Sequence, residues 1–164
     1  MIRVGHGYDV HPLVAGRDLI LGGVHIPHTK GLAGHSDADV LIHAICNACL
    51  GAAGLGDIGR HFPDSDEQYR NIASRELLRK VQAIIAARGW ALVNLDSTIV
   101  AQAPRLTPYV AKMVAHIAAD LDVPISRINI KATTTEKLGF AGREEGIAAH
   151  GVVLLANETK DLWT

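Results

Sequence analysis

This chain predicts an α/β (α+β) fold: a sandwich of a mixed β-sheet with helices on one face, plus a short β-hairpin. Three observations predict it. In the second half, segments of strand composition alternate with segments of helical spacing; the connections are long enough for right-handed crossovers; and a Gly-Gly pair near the N-terminus sits between two short apolar runs.

Residues 2 to 10 have strand composition, and Asp18 to Pro27 reads as two short strands around the Gly22-Gly23 turn. Ser36-Asp37-Ala38-Asp39 reads as a capping box, acceptor first and acid three later, for a first helix that starts at Val40 and runs to about Ala53. Gly54 to Asp66 is a glycine- and aspartate-rich loop, whose length and irregularity make it a functional candidate. From Ser74, Leu77, Leu78, Val81, Ile84 and Ile85 recur at helical spacing, and Gly89 ends the run. Trp90 to Gln102 is rich in strand formers. Thr107-Pro108 opens a third helix whose Val110, Val114, Ile117 and Leu121 share one face, and Pro124 closes it. Arg127 to Thr133 and Ile147 to Leu155 are two further strands, separated by the polar segment Thr134 to Gly146. A ferredoxin-like arrangement is the specific expectation. With no repeat or linker, residues 1–157 form a single domain and residues 158–164 a C-terminal tail without a motif.

Lys+Arg 16 against Asp+Glu 17 leaves a net charge of -1, which excludes a general nucleic-acid binder. Any polyanionic ligand has to be held locally. Glycine and histidine interrupt the N-terminus before a signal peptide could form, and no segment approaches a membrane span, so a cytoplasmic protein without membrane contact is expected. Cys46 and Cys49 lie one turn apart inside an apolar helix and read as core residues, not as a disulfide or redox pair.

Chemistry concentrates in a few places. In Gly7-Tyr8-Asp9-Val10-His11 a strand aims Asp9 and His11 at the same side, and His43 on the first helix supplies a third ligand. Three ligands leave an open position, as in catalytic zinc sites, and one oxygen with two nitrogens also suits manganese or iron. Asp39, four residues before His43, either orients that ligand or simply caps the helix. His35 stands at the helix start, where an anion is favoured. Gly54-Leu55-Gly56-Asp57-Ile58-Gly59 matches the dinucleotide-binding string, but it follows a helix and soon meets Pro63, so the context fails. Lys131 to Lys137 collects three hydroxyls, an acid and two cations, a set suited to phosphate and a hard divalent ion or, more plainly, a solvated strand end. Phe140 and Arg143 read equally as an exposed aromatic and a surface cation.

Taken together and in order, Gly7-Tyr8-Asp9-Val10-His11, Gly34-His35-Ser36-Asp37-Ala38-Asp39, Gly56-Asp57-Ile58-Gly59, Ala101-Gln102-Ala103-Pro104 and Lys131 to Phe140 closely resemble the 2-C-methyl-D-erythritol 2,4-cyclodiphosphate synthase family, from about Ile2 to Asn157. The resemblance implies a cyclodiphosphate synthase domain over residues 1–157 and a homotrimer with active sites between subunits. It implies a phosphorus-oxygen lyase of the non-mevalonate isoprenoid pathway, which cyclises 4-diphosphocytidyl-2-C-methyl-D-erythritol 2-phosphate and releases CMP. On that pattern Asp9, His11 and His43 bind Zn²⁺, and Glu136 helps to hold a second ion, Mg²⁺ or Mn²⁺. His35 and Thr134 stabilise the transition state. Asp57, Ile58, Gly59, Phe62, Pro63, Asp64, Ser65 and Asp66 face the methylerythritol part, and Ser36 contacts a phosphate. Ala101, Gln102, Ala103, Pro104, Arg105, Leu106 and Thr107, with Thr133, Thr134, Thr135 and Glu136, line a cytidine pocket from the adjoining subunit. Phe140 and Arg143 correspond to the trimer axis, where an isoprenoid diphosphate is received. Asn47 departs from the pattern, standing where members carry an acid one turn beyond the metal histidine. The same ligands would also serve a zinc-dependent phosphohydrolase, and Phe140 with Arg143 a non-catalytic lipid carrier; the dense run of site-like motifs favours the synthase.

Overall fold

In the computed structural model, which describes residues 1–63, 65–69 and 72–157, strand β1 (Ile2–Ala15) organises the rest. Its inward positions Gly5 and Gly7 have no side chain, and helix α1 (Val40–Ala52) occupies the space. A Cβ on Gly5 would lie 2.0 Å from the Ala48 carbonyl oxygen, so only glycine permits the approach. Ala44 and Ala48 line the facing side of α1, and the helix is buried nearly all round, as its largely apolar composition requires, with His43 and Asn47 half-buried.

Strands β4 (Lys30–Leu32), β5 (Trp90–Val100), β6 (Ile128–Thr133) and β7 (Gly146–Asn157) complete a sheet of order β4-β1-β7-β5-β6. β7 is antiparallel to both β1 and β5, and β5 is parallel to β6. β1 and β5 therefore run parallel with β7 in the gap, the split β-α-β unit of ferredoxin-like layering. Helices α3 (Ser74–Ala87) and α4 (Val110–Asp120) join α1 on one face of this mixed sheet. Leu77, Leu78, Val81 and Ile85 are buried as their spacing predicts; on α4 the buried face centres on Met113 and Ile117, with Val110 and Val114 half-buried at its margin. Asp120 locks α3 to α4 by accepting from Arg75 Nε at 2.6 Å and Arg79 at 2.9 Å. On the sheet's other face Ile2, Val4, Tyr8, Val10 and Val152 are exposed.

The hairpin, β2 (Leu19–Leu21) and β3 (Val24–Ile26), forms around Gly22 and Gly23, both at positive φ. Its turn is latched to α1 through Asp39, whose carboxylate accepts the N–H groups of Gly22 at 3.0 Å and Gly23 at 2.7 Å.

Several local expectations are corrected. Asp39, not Ser36, is the N-cap of α1, accepting from the Ile42 N–H at 3.1 Å; Ser36 Oγ instead accepts from the Ala38 N–H two residues on. β1 continues to Ala15 because its far end pairs with β4, a three-residue strand too short to show a period. The 54–66 loop contains a one-turn helix, α2 (Ile58–His61), capped by Asp57, and the 134–146 segment contains another, α5 (Gly139–Gly142). β5 ends at Val100, before the cis Ala103-Pro104 bond. Cys46 and Cys49 are free and buried, and burial pushes the Cys49 thiol up to about 12. No helix among the described residues is long and apolar enough to cross a membrane. Residues 158–164, expected as a tail, and Asp64, expected at the substrate, lie outside the described residues.

Candidate active site

Beyond Gly5 and Gly7 the same inward face of β1 carries Asp9 and His11, and the close approach of α1 brings His43 down onto them. Asp9 Oδ2 lies 3.0 Å from His11 Nε2 and 3.1 Å from His43 Nδ1, and the two nitrogens are 3.2 Å apart. Tetrahedral zinc with bonds of about 2.0–2.1 Å spaces its ligand atoms by about 3.3 Å, so this triangle fits such an ion after a slight spreading. These three residues form the group able to hold a metal among the described residues.

The chemistry of the donors agrees with the spacing. His11 Nδ1 donates to the Ala33 carbonyl at 3.0 Å, which leaves Nε2 as the nitrogen that faces Asp9 and that becomes a ligand atom once it gives up its proton. Burial works to raise the Asp9 carboxyl, but hydrogen bonds from His11 and His43 and their charges outweigh it and hold Asp9 at about 2. Burial likewise works to lower His11, and its hydrogen bond and charge interaction with Asp9 reverse that, leaving it above the ordinary histidine value.

The triad opens into a cavity of about 360 Å³, where His35 and Ser36 from the α1 approach meet Ile58 and Gly59 of α2 and Phe62 just after it. His35 is exposed, and Ser36 Oγ lies 3.3 Å from His43 Nε2. Asp57 reaches this region only through its cap on α2, while Pro63, Ser65 and Asp66 of the following loop do not line the cavity. Asn47, one turn beyond His43, accepts the Ile58 N–H at 2.9 Å, so α1 holds the Asp57–Gly59 segment as well as presenting His43. Asp39 does not orient the His43 ring: its carboxylate is engaged by the Gly22, Gly23 and Ile42 N–H groups.

The remaining residues form separate sites within one chain. Ala101 to Thr107, with Thr133 and Thr134, line a second cavity of about 260 Å³ that shares no lining residue with the first. Thr135 and Phe140 belong to a third, of about 230 Å³, with Tyr8 and His150. Glu136 is not gathered into the Asp9 cluster; it is exposed, at positive φ, and accepts from Thr134 Oγ1 at 3.4 Å. Arg143 makes a two-pronged ion pair with Glu145, at 2.8 and 3.2 Å. Tyr69, Ile72 and Leu77 line the first cavity without any sequence signal, since Leu77 sits in an ordinary apolar repeat and the others in an irregular stretch. Asp37 and Ser74 were likewise missed beyond their helix-start positions, although both meet beside His43.

The 2-C-methyl-D-erythritol 2,4-cyclodiphosphate synthase of Thiobacillus denitrificans (strain ATCC 25259 / T1) is 64% identical over 154 residues, 94% of this chain and 96% of that protein. Among solved structures, the bifunctional IspDF from Campylobacter jejuni matches with a TM-score of 0.92 and 47% identity, covering 96% of this chain and 42% of that longer one. IspF of Plasmodium falciparum, in a CDP complex, matches with a TM-score of 0.85 and 32% identity over 96% of this chain and 97% of its own. The YgbB family model matches residues 2–156, and the chain belongs to the YgbB family.

Proposed function

We propose that this chain is a 2-C-methyl-D-erythritol 2,4-cyclodiphosphate synthase: a phosphorus-oxygen lyase that cyclises 4-diphosphocytidyl-2-C-methyl-D-erythritol 2-phosphate and releases CMP, on the non-mevalonate route to isoprenoid precursors. One observation carries it. A three-ligand oxygen and nitrogen cluster with an open side faces a cavity of about 360 Å³, in a chain 64% identical to a synthase of that name.

Asp9, His11 and His43 hold Zn²⁺ and Glu136 helps to hold Mg²⁺ or Mn²⁺; bound there, the ions supply Lewis-acid polarisation of the diphosphate and neutralise its charge. The nucleophile is a substrate phosphate oxygen already ionised at neutral pH, and CMP leaves as a stable anion, so no strong general base or acid is required. What opposes reaction is anion repulsion and the entropy of folding the substrate back on itself. His35 and Ser36 at the cavity mouth orient the phosphates, and the Thr134 hydroxyl does so from the cytidine side. Ile58, Gly59 and Phe62 pack against the methylerythritol part, with Asp57 keeping α2 in register beneath it. Asp9 remains ionised throughout, since its partners hold it far below neutrality.

The cytidine is received by Ala101 to Thr107 with Thr133, Thr135 and Glu136 of a neighbouring subunit in a homotrimer. Two facts support this division: the two cavities share no lining residue, and the helix-free sheet face exposes Ile2, Val4, Tyr8, Val10 and Val152. Phe140 and Arg143 face the axis, where an isoprenoid diphosphate competes with Glu145 for the Arg143 guanidinium. Residues 1–157 act as one domain.

Purified protein given the substrate is expected to release CMP and the cyclic diphosphate, and to stop on addition of a chelator. A linear phosphate product, or no CMP, would overturn the reading.

A further inference from the structure

We infer that Asp37 and Ser74 are positioning residues for His43, fixing which of its ring nitrogens carries the proton; the inference rests on the reading of Asp9, His11 and His43 as metal ligands. The imidazole is engaged from both sides. Nδ1 faces Asp9 Oδ2 at 3.1 Å and His11 Nε2 at 3.2 Å, while Nε2 lies 2.9 Å from the Oγ of Ser74, the first residue of α3.

Ser74 is fully buried, and its hydroxyl has a single hydrogen to give. That hydrogen goes to Asp37: Ser74 Oγ donates to Asp37 Oδ1 in a short hydrogen bond, and the Ser74 N–H donates to Oδ2 at 3.0 Å. A carboxylate only accepts, so Ser74 Oγ is left able only to accept from His43. Nε2 therefore keeps its hydrogen, and the nitrogen left to give up its proton to a metal is Nδ1, which in the metal-free protein faces the Asp9 carboxylate. The same wiring relieves Ser36, 3.3 Å from Nε2, of any need to donate there, so its hydroxyl hydrogen is available to a ligand in the cavity.

Asp37 has a second, purely structural task. The N-cap position of α3 is Ala73, which offers no side-chain acceptor, and Asp37 supplies one to the first N–H of the helix. The test must separate the two. Asp37→Asn keeps an oxygen for the Ser74 N–H, yet its amide donates to Ser74 Oγ; the Ser74 hydrogen then swings to His43 Nε2 and the imidazole proton is held on Nδ1, where it blocks the metal.

The experiment uses the full chain, stripped of metal and titrated with Zn²⁺ against a chromophoric chelator, with ring-nitrogen NMR of His43 in the metal-free form. Asp37→Asn and Ser74→Ala are expected to weaken zinc binding by about ten- to a hundredfold. Ser74→Thr, which retains the hydroxyl, is expected to restore it, and Asp37→Asn to remove the Nε2–H signal of His43. Wild-type affinity in both Asp37→Asn and Ser74→Ala, or an unchanged Nε2–H signal in Asp37→Asn, overturns the inference. His43→Ala distinguishes the layers. If it binds zinc as tightly as wild type, the ligand reading itself has failed; if it alone loses zinc, only the role of Asp37 and Ser74 has.

Discussion

A Cβ built on Gly7 would stand 1.9 Å from the carbonyl oxygen of Ala44, the residue that follows His43. Strand and helix thus meet backbone to backbone beside the Asp9, His11 and His43 cluster, and this contact is what allows a helical imidazole to reach within 3.2 Å of one on a strand.

Gly7→Ala is accordingly expected to cost about 3 kcal/mol or more, since neither backbone can yield without disturbing the sheet or the helix. Denaturant unfolding in the presence of chelator measures it. Zinc affinity should fall in the same variant although no ligand has been touched, and a stable Gly7→Ala protein with full zinc affinity would contradict the account.

His43→Ala is expected to abolish CMP release through loss of zinc. Glu136→Ala should act differently, weakening the second ion, so that excess Mg²⁺ restores much of the activity. Each lost electrostatic contact is expected to raise the barrier by about 3 kcal/mol, roughly a hundredfold in rate. Failure of any Mg²⁺ concentration to rescue Glu136→Ala would remove that residue from ion binding.

Protons and zinc compete at His11. In the metal-free protein its folded pKa lies above 6.5, so its contribution to stability is complete below 6.5 and fades as pH rises through the folded value. Asp9, at about 2 against 3.8, contributes above 3.8 and is lost as pH falls through about 2. The pair therefore supports the metal-free fold best between 3.8 and 6.5. Zinc needs neutral His11, so its affinity should climb with pH through the His11 transition and binding should release protons there. Calorimetry in buffers of different ionisation heat between about pH 6 and pH 8 checks this; a flat affinity would refute it.

Asn47 holds the Ile58 N–H through its side-chain oxygen, a job that an acid at the same position performs equally well. Asn47→Asp is expected to keep near-normal activity. Asn47→Ala leaves the N–H without its partner and loosens α2, raising KM several-fold with zinc affinity unchanged; a change in zinc affinity instead would assign Asn47 to the metal centre.

Much of this was legible in the chain itself. The 3.6-residue repeat of Leu77, Leu78, Val81 and Ile85, the Gly22-Gly23 turn and the two-residue spacing of Asp9 and His11 are short-range patterns, set by backbone period and local sterics. The capping misreading at Ser36 has an equally local cause: Ser36 and Asp39 both look like caps, and the competition was won by the residue that also accepts the hairpin's Gly22 and Gly23 N–H groups.

Sequence alone therefore determined the types of the longer elements and the nature of the Asp9, His11 and His43 donors, because both depend on residues a few positions apart, whereas the short β4, α2 and α5 carry too few residues to show a period. Tertiary structure decided the rest: that Gly5 and Gly7 serve close packing against α1, that Ser74 and Asp37 meet beside His43, and that the pockets are separate. These pairings join residues 31 to 43 positions apart, such as Ser74 with His43 and Gly5 with Ala48. No local periodicity encodes such meetings, since they arise only when the burial of α1 draws distant backbones into contact.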